Sequence, residues 1–130
     1  MTVQKALLFK DVKKAKQIMT LRCPQVKALG RKVDNFDEKK WATARESIVV
    51  EGNMHKFGQN AELKAKLLAT GDKKIVEASP VDRIWGIGFG EQDALENKDH
   101  WGLNLLGVAL EKTRRILRGV GVWDLYQVLP

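Results

Sequence analysis

The chain has 130 residues, with 23 Lys and Arg against 16 Asp and Glu, a formal net charge of +7 and a pI near 9.6. That length fits a single domain, residues 1–130, whose core removes roughly two-thirds of the unfolded surface from water. The positive balance favours anionic partners such as nucleotides, nucleic acid or pyrophosphate, and apolar runs of only a few residues exclude a membrane-spanning helix.

Cys23 stands alone, which excludes an internal disulfide, fits a reducing compartment and offers no metal site. Met1 to Phe9 lacks the long apolar core and small-residue cleavage site of a signal peptide. The expectation is a soluble intracellular protein, cytoplasmic with the nucleus also open, using neither metal nor cofactor.

In chain order, Val3, Ala6 and Leu7, then Val12, Ala15, Ile18 and Met19, recur at three and four, predicting helix over residues 2–19 with a break or new cap at Asp11. Only Thr2 is available to cap the first turn, so that turn needs support from elsewhere. Pro24 is placed to open a short helix and Gly30 to end it. The longest helix is predicted from Asp37 to Phe57, with acids in the turn that the helix dipole favours. Its inner stripe is Trp41, Ala44, Arg45, Ile48, Val49 and Gly52. Arg45 is out of place there, and a half-buried guanidinium needs a partner. A structural carboxylate such as Glu77 or Asp82 would serve, and so would a ligand phosphate.

Asn60 is placed to cap a helix carrying Leu63, Leu67 and Leu68, closed by Gly71. His55 has no companion ligand and reads as a surface residue. Lys74–Ala78 reads as a short strand, giving a mainly α fold (α+β with a few short strands). It delivers the chain to Ser79-Pro80-Val81-Asp82-Arg83-Ile84-Trp85-Gly86-Ile87-Gly88-Phe89-Gly90. Here the backbone at Gly86 and Gly88 allows close approach to phosphate or ribose, Trp85 offers a stacking face, and Asp82 offers a fixed carboxylate. A hairpin or bulged strand with glycines at its corners is the simpler reading of the same residues. The G-x-G-x-G spacing is not a dinucleotide fingerprint.

Glu91–His100 is polar and without period, a surface connection or a loop over a site. Asn104 is an N-cap for the last helix, or an amide at a helix N-terminus that meets a sugar hydroxyl or anion. That helix carries the stripe Leu106, Ala109, Leu110, Thr113 and Leu117, with Arg114, Arg115 and Arg118 at the end where the dipole favours cations. The apolar tail, residues 119–130, folds back or forms a homodimer contact.

An ordered set of blocks runs through the chain: Gln4-Lys5-Ala6-Leu7-Leu8-Phe9, Ala28-Leu29-Gly30-Arg31, Trp41 with Arg45, Lys56-Phe57-Gly58-Gln59-Asn60 and Leu67-Leu68-Ala69-Thr70-Gly71. It continues with Glu77-Ala78-Ser79-Pro80, Asp82, Trp85-Gly86-Ile87-Gly88, Asn104-Leu105-Leu106-Gly107 and Arg114. Together they resemble the NADAR, or YbiA-like, family over almost the whole chain. The resemblance implies a compact multihelical single-domain fold and an N-glycosidase that splits a ribosyl carbon–nitrogen bond. The implied substrates are a phosphorylated ribosylamine of the early riboflavin pathway or an ADP-ribosyl group, including ADP-ribosylated nucleic acid.

It also implies catalytic roles for Asp82 and Trp41 and a pocket lined by Lys5, Arg45, Trp85, Gly86 and Asn104. Family members carry an S-N-F-like segment and a catalytic glutamate that, aligned on Gln4-Lys5-Ala6, fall just ahead of Met1. Impaired turnover is therefore an expectation.

Breaking a ribosyl C–N bond develops positive charge on the sugar. In the mechanism so implied, Asp82 faces that charge, Trp41 stacks and excludes water, Arg45 takes the phosphate, and the Gly86 and Gly88 backbone lies close to ribose or phosphate. Two alternatives stand beside it: a non-catalytic module that binds ADP-ribose or a related nucleotide, and a basic nucleic-acid-binding domain.

Overall fold

A computed structural model describes residues 1–119. Among these it is helical: α1 (Thr2–Leu8), α2 (Val12–Met19), α3 (Cys23–Gly30), α4 (Glu38–Gly58), α5 (Ala61–Ala69) and α6 (Leu105–Leu117), with a 3-10 turn at Lys98–His100. The chain forms two compact units, Met1–Val49 and Val50–Pro130, so the boundary falls within α4. No described helix is long and apolar enough to cross a membrane.

In the first unit, Asp11 ends one helix and starts the next. Lys10 takes a left-handed conformation at φ 60°, and the Asp11 carboxylate accepts from Lys14 N at 3.0 Å, satisfying one of the orphan donors of α2. The same carboxylate accepts from Asp34 N at 3.0 Å, and Lys14 Nζ bridges Asp11 and Asp34 at 3.1 and 2.6 Å. Asp11 thereby ties the 31–37 connection to the first two helices. Met1 caps α1 without a side-chain bond, as the sequence implies. Support for this turn comes from packing: Gly30, at the end of α3, leaves room for Thr2, and any Cβ there would collide with that side chain. Ala6, Phe9, Ala15, Ile18 and Val33 form the buried centre of this unit.

In the second unit, Asn60 caps α5 by accepting from Leu63 N at 3.1 Å, and Gly71 closes it at φ 59°. The strand expected at Lys74–Ala78 does not form. The segment has no ladder partner among the described residues, because side chains of α6 and its cap take its backbone groups. Ile75 N donates to Glu111 Oε1 at 2.8 Å, Glu77 N to Asn104 Oδ1 at 3.0 Å, and Asn104 Nδ2 to Ile75 O at 2.8 Å. A two-sided amide thus does what a neighbouring strand would do. Gly107 makes this possible, since a Cβ there would overlap Ile75 O and the Asn104 amide. The apolar tail expected at 119–130 lies, beyond Gly119, outside the described residues.

Candidate functional site

The expected site residues fall into two groups, one in each unit. In the first, α1 presents Lys5, and the start of α4 presents Trp41 and Arg45. Asp37 sets that start by accepting from Lys40 N at 2.8 Å. Lys5 Nζ donates to Gly30 O at 3.0 Å and lies 5.5 Å from the Trp41 ring centroid. Trp41 is buried and Lys5 is half-buried. Removal from water pulls the Lys5 ammonium below the usual lysine range, with the Glu38 charge working in the opposite direction.

Two residues that sequence reasoning passed over belong to this group. Phe36 places its ring 4.2 Å from Lys5 Nζ and 5.2 Å from the Phe9 ring, and remains 43% exposed, so an open aromatic face adjoins the amine. Glu38 stands 3.7 Å from Arg45 Nη1. The partner of Arg45 in this unit is therefore an acid two turns earlier on its own helix. The i to i+7 spacing was the available signal, since it puts both residues on one side of α4.

In the second unit, Asp82 lies on the 77–87 loop. Glu77 O closes that loop by accepting from Ser79 N at 2.9 Å and Ile87 N at 3.0 Å. Asp82 Oδ1 accepts from Ile84 N at 2.9 Å and Trp85 N at 2.8 Å, an Asx-type turn that fixes the carboxylate and sets the Trp85 backbone. Gly86 is required by the loop itself: a Cβ would lie 2.7 Å from Glu77 O and 2.9 Å from Asp82 O. Gly88 adopts φ 79°, and a Cβ there would press on the Arg83 side chain. The hairpin reading of this stretch is replaced by a compact turn with no ladder among the described residues.

The loop carbonyls then meet the start of α6. Leu105 N and Leu106 N donate to Ile84 O and Trp85 O, both at 3.1 Å, while Asn104 N donates to Gly86 O at 3.2 Å. These are the donors that make a helix N-terminus an anion site, and here they are occupied. Asn104 differs from expectation as well. It precedes α6 in a left-handed conformation at φ 52°, and its side chain makes no cap bond. It is 4% exposed, and its amide is engaged by Ile75 O and Glu77 N as described, a structural clamp. The 91–100 connection is pinned: Trp101 Nε1 donates to Ala94 O at 2.7 Å, and Arg83 Nη2 to His100 O at 2.6 Å.

Residues 1–118 match the NADAR domain profile. The chain belongs to the NADAR domain family. This NADAR chain is 50% identical over 120 residues to N-glycosidase R617 of Acanthamoeba polyphaga mimivirus, covering 88% of the chain and 69% of that protein. It is 38% identical to Protein irg-1 of Caenorhabditis elegans, covering 87% of the chain and 56% of that protein. To N-glycosidase YbiA of Shigella boydii serotype 4 it is 36% identical, covering 84% of the chain and 63% of that protein. The NADAR chain thus spans between about half and two-thirds of the length of these relatives. The family expected from the ordered blocks is the family found, and so is the mainly helical fold.

Proposed function

We propose that this NADAR chain is an N-glycosidase that hydrolyses a ribosyl C–N bond in a phosphorylated ribosylamine or an ADP-ribosyl substrate. The observation that carries this reading is the family match over residues 1–118 together with relatives named N-glycosidase at up to 50% identity. The geometry is consistent with it in each unit. Asp82 is a carboxylate held in place by two backbone donors, suited to facing positive charge as it develops on the sugar. Lys5, Trp41 and Arg45 form a cationic, aromatic cluster suited to a phosphorylated ring. Its ligand is a small phosphorylated ribosyl or ADP-ribosyl group, free or carried on nucleic acid.

The test is release of free base from a ribosylamine phosphate and from ADP-ribosylated guanine, followed by chromatography. Turnover that falls by roughly a hundred- to ten-thousand-fold in Asp82→Asn supports the assignment. Equal turnover in that variant, or none by the wild type on either substrate, overturns it.

One observation favours the alternative of a binding module. Asp82 Oδ1 already accepts two backbone donors, which is a structural task in its own right. That reading expects ADP-ribose binding without turnover and no loss of affinity in Asp82→Asn.

A further inference from the structure

Arg114 is 6% exposed, and the sequence alone would place it on the wet end of α6. Its Nη1 donates to Thr70 Oγ1 and Lys73 O, both at 2.8 Å, so the guanidinium is fixed by neutral acceptors. No described carboxylate lies within ion-pair distance of it, though the Asp72 charge acts on it from farther off, and its Nη2 and Nε donate to none of the described residues. Keeping a guanidinium away from water is costly unless nearby anions compensate it, and Asp72 is already committed to Arg118.

Arg114 lines a cavity of about 520 Å³ in the second unit, between the 72–74 turn and α6. Around that cavity stand four more cations, Lys74, Lys112, Arg115 and Arg118, against two acids, Asp72 and Glu111. Both acids are engaged. Asp72 is bonded to Arg118 at 2.6 Å, which holds its carboxyl below the usual range, and Glu111 divides its oxygens between Ile75 N and Lys74 Nζ. Lys112 is itself engaged, and without it the lining still carries an excess of two positive charges, the four of Lys74, Arg114, Arg115 and Arg118 less the two of Asp72 and Glu111. The C-terminal dipole of α6 offsets only about half a charge. Lys112, Arg115 and Arg118 follow one another at three-residue steps, each a rise of about 4.5 Å, so the cations run along the cavity wall.

We infer that this cavity is a second anion site, taking a phosphate-bearing ligand of the size of a diphosphate. The Arg114 fork supplies a fixed bidentate contact, while Lys74 and Arg115 supply surrounding charge. None of its lining residues belongs to the candidate glycosidase site, so the inference stands whether or not the proposed activity does. The same chemistry is offered by a free diphosphate and by the backbone of a nucleic acid strand.

The experiment is equilibrium binding of inorganic pyrophosphate and, in parallel, of a single-stranded oligonucleotide, to the full chain at fixed low salt. The exposed double variant Lys74→Ala/Arg115→Ala is expected to keep its melting temperature and to bind pyrophosphate at least about tenfold more weakly. Arg114→Lys, which keeps the charge but loses the fork, is expected to weaken binding further. Loss for pyrophosphate alone assigns a free phosphate ligand, and loss for both probes assigns a nucleic-acid backbone. Failure of the wild type to bind either probe, or unchanged affinity for both in the double variant, overturns the site.

Discussion

Single side chains in this protein take over tasks that usually fall to backbone. Asn104 pairs with both faces of a peptide unit across a gap that a strand would otherwise fill. Asn104→Ala removes the partners of two part-buried backbone groups, Ile75 O and Glu77 N, at a net cost of about 0.5–1.5 kcal/mol each, and a drop in the denaturant midpoint is expected. A loss confined to substrate affinity, with stability intact, would instead give the amide a ligand role. Lys5 offers a second residue-scale test. Phe36→Leu keeps the apolar bulk but removes the ring quadrupole that favours the ammonium form. The Lys5 amine, followed by NMR after isotopic methylation, is expected to titrate lower still in that variant, whereas Phe36→Tyr leaves it unchanged. The sequence marked Lys5 and Trp41 through the family blocks. Phe36 was not legible, because nothing in its own neighbourhood announces which distant amine its ring will meet.

At the scale of elements, the tie between Asp11, Lys14 and Asp34 shows how a cap is extended into a clamp. The bond from Asp34 N is the largest influence holding the Asp11 carboxyl below the usual aspartate range, followed by its contacts with Lys14. A carboxyl depressed in the folded state stabilises the fold above its unfolded pKa, and that contribution disappears as pH falls through the lower folded value. The wild type is therefore expected to lose stability on acidification below the ordinary aspartate range. Asp11→Asn should flatten that part of the pH profile, measured by thermal melts from neutral to acidic pH, and a profile unchanged by the substitution would remove Asp11 from the account. The break between α1 and α2 was legible, since aspartate at an interrupted apolar stripe has a local reason to cap. The strand at 74–78 was misread because its apolar run is right, while its partners are side chains from thirty or so residues later.

For the molecule as a whole, the charge of +7 makes weak attraction to polyanions unavoidable. Oligonucleotide affinity that arises from this general field should fall steeply with added salt, following the number of phosphates neutralised. Binding of a small phosphorylated ligand in the Lys5, Trp41 and Arg45 cluster should fall less, because it involves fewer charges and an aromatic face. Titrations at two salt concentrations separate the two, and equal slopes would indicate that surface charge alone governs both.

Sequence alone established the family, through blocks in a fixed order, and the helices with their caps at Asp11 and Asn60, through periodicity and capping residues that lie near one another along the chain. Tertiary structure alone decided that Asn104 clamps an extended segment and that Arg114 lies buried beside a cationic cavity. Periodicity shows which side of a helix avoids water. It does not show which group arrives to meet a charge there, since that follows from chain segments brought together only by folding.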